Sequence, residues 1–126
     1  MTKRILVIED QPDNRRILRD LLGNSGFVVT EAENGRIGVE MAVSDPPDLI
    51  LMDIQMPEMD GYQATREIKA SAAGDIPIIA VTSYALSDDE TKARGAGCDG
   101  YVSKPFSPRE ILRKVIEFIG EAKSDA

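Results

Sequence analysis

Apolar residues occur along the chain as short unbroken runs, separated by longer stretches in which apolar positions recur every three or four residues. The runs are Ile5 to Ile8, Phe27 to Val29, Leu49 to Met52 and Ile78 to Val81, with a shorter Tyr101-Val102. A strand covered on one face alternates apolar with polar side chains, whereas a strand covered on both faces reads as a continuous apolar run. Runs of the second kind, alternating with helical spacing, predict a parallel β-sheet with helices on both sides, in five strands and five helices.

The helix signals are local. Ile17, Leu18, Leu21 and Leu22 give the first helix its apolar stripe, with Gly23 and Gly26 to end it. The second is predicted to begin near Asn34 and stop before Pro46-Pro47. Asp60 can cap the third, which carries Tyr62, Thr65 and Ile68 along one side. Ser87 to Glu90 and Ser107 to Glu110 both have capping-box spacing, and Pro108 suits a first helical position. The fifth helix is expected to bury Ile111, Leu112, Val115, Ile116 and Ile119. The fourth offers little beyond Ala93 and reaches Gly95 quickly, so it is predicted to be weakly anchored and movable.

Composition sets the bounds. With 126 residues, 42% of them hydrophobic, the chain reads as one domain over 1–126, with a core of about 3–120 and a polar tail at 121–126. No repeat or linker divides it. Only four apolar residues, Ile5 to Ile8, separate Arg4 from Glu9, too few for a signal-peptide core. Nor does any run approach the roughly 20 apolar residues of a membrane span. A cytoplasmic protein without membrane insertion is therefore expected. The single cysteine, Cys98, cannot form an internal disulfide and reads as a small buried residue. A net charge of -7 without a Lys/Arg stripe disfavours direct nucleic-acid binding and points to proteins or small ions as partners.

The candidate chemistry lies where the apolar runs stop. In LILMDIQMPEMDG, residues 49–61, four apolar residues lead directly into Asp53, where an ionised carboxylate beside low-dielectric surroundings is costly unless compensated. The first run ends in Glu9-Asp10, the fourth in Thr82, and the fifth leads into Lys104-Pro105. All are carboxyl ends of predicted strands, the edge at which an open parallel sheet forms its ligand crevice. Glu9, Asp10 and Asp53 should converge there. Three carboxylates about 5 Å apart at an effective dielectric of about 20 repel by about 3 kcal/mol per pair, about 10 in total. That rivals the roughly 5 to 15 kcal/mol that holds a domain together. The cluster must protonate, spread into water or hold a cation, and an all-oxygen site in a chain without histidine suits Mg²⁺. Beside such an ion Asp53 becomes a nucleophile able to accept a phosphoryl group. Lys104 would pair with phosphoryl oxygen as a point charge, and the Thr82 hydroxyl would donate to it.

Taken singly, each group has an ordinary role: Glu9-Asp10 as a solvated turn, Asp53 as a cap, Thr82 as a strand-end hydroxyl, Lys104-Pro105 as a loop, Tyr101 as a partly buried aromatic. Together they match a known pattern. VIEDQ (7–11), LILMDIQMPEMDG (49–61), IPIIAVTSYA (76–85) and GCDGYVSKPF (97–106) resemble, in order and spacing, the motifs of the receiver domain of two-component response regulators of bacteria. The resemblance implies a flavodoxin-like (βα)5 three-layer sandwich whose five-stranded parallel sheet has the order 2-1-3-4-5. It implies that Asp53 is the phosphoacceptor, Glu9 and Asp10 the acidic metal pair, and Gln55 the residue whose backbone carbonyl completes Mg²⁺ binding. Thr82 and Tyr101 are implied as a switch pair and Lys104 as the phosphate-pairing lysine, followed by a Pro105 that is often cis in the family. Glu9 departs from the more usual Asp, keeping the charge on a longer arm.

The implied function is a phosphorylation switch. A histidine kinase or phosphotransfer protein donates a phosphoryl group to Asp53, and a downstream target is bound at the face of the fourth helix, fifth strand and fifth helix. Gln55 and Tyr84, two positions beyond Asp53 and Thr82, should border the path of hydrolytic water, with Tyr84 shielding the phosphoryl group and slowing its loss. The wording of the motifs is nearest to stand-alone or hybrid-kinase receivers, and a receiver cut from a larger regulator is the alternative. A small aspartyl-phosphate hydrolase of the haloacid-dehalogenase type would want an acid where Gln55 stands. A flavodoxin-like electron carrier would want a Ser/Thr/Gly-rich phosphate loop where EDQPDNR (9–15) is acidic.

Overall fold

Four of the five apolar runs lie within strands, and the computed structural model of the chain describes residues 2–54, 56, 59–82, 87–103 and 107–121, with 87–90 described by their helical backbone only. The strands are β1 (Arg4–Ile8), β2 (Val28–Ala32), β3 (Leu49–Asp53), β4 (Ile78–Thr82) and β5 (Gly100–Ser103). They alternate with α1 (Pro12–Asn24), α2 (Gly35–Ser44), α3 (Gly61–Lys69), α4 (Ser87–Ala96) and α5 (Pro108–Ile119). The sheet is parallel throughout, in the order β2-β1-β3-β4-β5.

Strand alternation divides the interior into two cores. Ile5, Val7, Leu49, Leu51, Ile79, Val81 and Val102 pack with Leu18 and Leu22 of α1 and Ile111 and Val115 of α5. Leu6, Ile8, Ile50, Met52, Ile78 and Ala80 pack with Ala42, Ala64, Ile68 and Ala93 from the helices of the other face. The three central strands are therefore apolar on both sides, which is why they read as unbroken runs.

Three helix starts carry side-chain caps, while the side chains of the Ser87 to Glu90 capping box lie outside the described residues. Asn34 Oδ1 accepts from Ile37 N at 2.9 Å, Asp60 Oδ1 from Gln63 N at 2.9 Å, and Ser107 Oγ from Glu110 N at 3.1 Å. Three expectations need correction. β2 does not occupy Phe27 to Val29 but runs from Val28 to Ala32: as an edge strand it buries only Ala32, so it accommodates polar residues, while Phe27 precedes it as a core side chain. Ile17 and Ile116 are not core residues, being 51% and 38% exposed. Each is one residue, about 100° of helix, away from a buried neighbour, Leu18 or Val115, that fills the stripe. In α5 the half-buried Phe118 joins the core instead, lying over Gly100, where a Cβ would stand 2.8 Å from the ring.

The amino end of the sheet is closed by hydrogen bonds between elements distant in sequence. The Asp99 carboxylate accepts from Ile78 N at 2.9 Å and from Lys69 Nζ at 2.8 Å, and the Asp99 N–H donates to Ile78 O at 2.8 Å. Lys69 also donates to Ile76 O at 2.9 Å, so one side chain joins the end of α3 to the start of β4 and the turn before β5. Beside this clamp the buried Cys98 thiol lies 3.6 Å from the Thr65 hydroxyl. Burial pushes that thiol above the ordinary range, which leaves it protonated at neutral pH and packed as a small apolar group. As a prediction, Asp99→Ala strands the Ile78 N–H and removes the anion from Lys69, so urea unfolding should show a loss of about 1–3 kcal/mol with the slope unchanged.

Candidate functional site

Register brings the acids together. β1 and β3 are neighbours with Ile8 opposite Met52, so the next residues, Glu9 and Asp53, come level at the carboxyl edge. Asp53 closes β3 opposite Val81, and the N–H of Ile54 continues the ladder to Val81 O at 3.0 Å. Glu9 is held just past β1 by its own N–H, which donates to Ala32 O at 3.1 Å. Both side chains are nearly inaccessible, 2% exposed for Glu9 and 3% for Asp53, while Asp10 is half-buried beside them. One carboxylate oxygen from each of the three lies within 4.8 Å of the others, close to the separation expected from sequence.

The donor set fits a hard divalent cation. All three ligand atoms are carboxylate oxygens, with no nitrogen or sulfur among them, and Mg²⁺ is held through one or two carboxylates while keeping waters.

Elements around the acids fix their positions. Pro12 stands at the first helical position of α1, and from the turn that follows Asn14 Nδ2 donates to Glu9 Oε1 at 2.9 Å. Arg15 Nη1 donates to the backbone carbonyls of Glu9 at 2.9 Å and Asp10 at 3.3 Å, while its Nε lies 3.7 Å from Glu31 Oε1. Asn14 and Arg15 were not singled out in the sequence, where they read as part of an acidic stretch. The longer arm of Glu9, which asks for a support that Asp would not reach, was the available signal. Gly61 is a third residue of this kind. Its N–H donates to Ile54 O at 3.0 Å, and a Cβ there would collide with the carbonyl of Asp53 and stand 2.6 Å from Ile54 Cα. The start of α3 thus presses directly on the backbone that carries Asp53.

Thr82 is fully buried at the end of β4. Tyr101 lies on β5 opposite Ala80, two register positions before the partner of Thr82 and on the same face, half-buried against the core beneath α3 and α4. Gln55, Tyr84, Lys104 and Pro105, the remaining residues singled out from sequence, lie outside the described residues.

Known proteins share the sequence pattern and the fold. The response regulator receiver domain model matches residues 5–116. The polar-differentiation response regulators DivK of Brucella ovis and Brucella abortus are each 37% identical over 123 residues, covering 97% of this chain and 100% of theirs. The receiver domain of a sensor histidine kinase from Pseudomonas aeruginosa, solved with a magnesium ion coordinated in its active site cleft, is 38% identical with a TM-score of 0.88, over 96% of this chain and 100% of that one. The chemotaxis protein CheY4 of Vibrio cholerae shares the fold at 23% identity, with a TM-score of 0.89 over 94% of this chain and 99% of its own.

The contact at Gly61 yields a prediction. Gly61→Ala should lower stability by about 1–3 kcal/mol through overpacking and displace the backbone amide resonances of Asp53 and Ile54 in the folded protein. Unchanged resonances there would show that α3 does not set the position of Asp53.

Proposed function

The chain belongs to the response regulator receiver family, and on that footing we propose that it works as a phosphorylation-dependent signalling switch with Asp53 as its phosphoacceptor. Receiver domains are signalling proteins rather than conventional enzymes, and they act with histidine kinases or phosphotransfer proteins and with downstream targets. The observation that carries the assignment is the convergence of Asp53 with Glu9 and Asp10 at the carboxyl edge of a parallel sheet.

In the transfer, a carboxylate oxygen of Asp53 attacks the phosphorus of a phosphohistidine. The new O–P bond forms as the N–P bond breaks, and the imidazole nitrogen keeps the bonding pair and takes up a proton. The chain has no histidine, so the donor lies outside these 126 residues. Receiver domains generally use Mg²⁺. Held by Glu9, Asp10, Asp53 and the backbone carbonyl of Gln55, the ion would offset the repulsion of the acids and the charge of the incoming phosphoryl group. Thr82 donates its hydroxyl hydrogen to a phosphoryl oxygen and Lys104 pairs with another. Gln55 and Tyr84 would border the water path, with Tyr84 shielding the phosphoryl group, so that self-dephosphorylation is slow, and Pro105 would follow Lys104 in the cis form frequent in the family.

The readout follows from the same edge. Drawn toward the phosphoryl group, Thr82 vacates space on the face it shares with Tyr101, which swings inward and biases α4, whose described buried side chains are only Ala93 and Ala96. A target protein then docks across α4, β5 and α5, where Tyr101, Ser103, Arg113 and Glu117 line a groove. The whole of 1–126 acts as one receiver domain in the cytoplasm; no helix of the described residues is long and apolar enough to cross a membrane. Likeness to a sensor-kinase receiver at 38% identity supports a second reading, a receiver carried within a larger regulator.

Two outcomes are expected. Incubation with acetyl phosphate and Mg²⁺ should add one phosphoryl group by intact mass, lost in Asp53→Asn and suppressed by chelation of the metal; an undiminished adduct in the variant would overturn the assignment. Addition of beryllofluoride should shift backbone amide resonances at Thr82, Tyr101 and Ser87 to Gly95, and shifts confined to the loops around Asp53 would count against the coupling to α4.

A further inference from the structure

We propose that Asn14 is a positioning residue for the cation site, holding the carboxylate of Glu9 in the orientation that binds the metal. The inference rests on the reading above that Glu9, Asp10 and Asp53 hold Mg²⁺. Glutamate carries one more rotatable bond than aspartate, so an acid of this length at a metal site needs support if its oxygen is to be in place before the ion arrives. Asn14 supplies that support from the first turn of α1, its side-chain amide donating to Glu9 Oε1 at 2.9 Å.

The chemistry of the donor matters as much as its position. An amide is neutral, so it fixes the acid without cancelling the charge that attracts a cation, which a lysine or arginine at this position would do. A cation is close by, since Arg15 is the next residue. It is diverted: Nη1 binds the backbone carbonyls of Glu9 and Asp10, and Nε faces the carboxylate of Glu31 at 3.7 Å. One turn of helix thus holds the loop backbone through the charged group and the metal acid through the neutral one.

The test is a double-mutant cycle read by Mg²⁺ affinity, from titrations followed by backbone amide NMR in the wild type, Asn14→Ala, Glu9→Asp and the double variant. Asn14→Ala should weaken Mg²⁺ binding about tenfold while Glu9 is present and change it little once Asp, whose shorter arm does not reach Asn14, replaces it. An equal loss in both backgrounds would mean that Asn14 acts through the fold rather than through Glu9 and would overturn the proposal. So would wild-type affinity in Asn14→Ala, with the metal reading intact. Absence of Mg²⁺ binding by the wild type itself would overturn the metal reading and this inference with it. A measurement that does not depend on the folding of Asn14→Ala is the side-chain NH₂ resonance of Asn14 in metal-free protein. Glu9→Asp should move that resonance to the position of a solvated amide, and no movement would overturn the proposal.

Discussion

Three carboxylates held with their oxygens within 4.8 Å of one another are the constraint on which the rest of the molecule depends. At that separation each pair repels by about 3 kcal/mol at an effective dielectric of about 20, and two of the three side chains are shut away from water. A fold stabilised by roughly 5 to 15 kcal/mol tolerates this only if the strands carrying the acids are secured by other means. β1 and β3 lie inside the sheet, not at its edges, and are apolar on both faces over two separate cores. The strain at the end of each strand is thus opposed by hydrophobic burial along its length.

The two edges of the sheet consequently have different characters. At the carboxyl edge, charge is concentrated and its supports are polar and close: the Asn14 amide on Glu9, the Arg15 guanidinium on the loop carbonyls, the backbone of Gly61 against Ile54. At the amino edge, Lys69 and Asp99 join α3, β4 and the approach to β5 through mutually satisfied hydrogen bonds. This places a fixed point at the carboxyl end of α4, next to the Asp99 turn. The other end of α4 follows Thr82 on the side of the acids. A helix held firmly at one end, whose described buried side chains are alanines, can respond at the other without disturbing the sheet.

Arg15 shows how charge is apportioned near such a site. A guanidinium placed directly on Glu9 or Asp10 would have offset their repulsion and occupied the oxygens that a cation needs. Its distribution between two carbonyls and Glu31 keeps positive charge nearby, which moderates the repulsion without placing the guanidinium on either carboxylate.

The acids, the central strands and the caps were legible in the sequence because each is a local property. An apolar run ending in Asp53 or Glu9 marks a buried strand and its edge, and Asn34, Asp60 and Ser107 cap helices through bonds three residues long. β2 was misplaced because an edge strand with one buried residue has no run to read. Ile17 and Ile116 were misassigned because adjacent helical positions differ by about 100°, and only the packed sheet decides which of two apolar neighbours faces it. The order of the strands is not in the runs at all and came from family resemblance. Tertiary structure alone brought Glu9 level with Asp53, Asn14 onto Glu9, and Lys69 onto Asp99 across 30 residues of chain. Periodicity and capping act within a few residues, whereas these contacts depend on the register between strands and the angle at which each helix enters, which are set only when the whole sheet is packed.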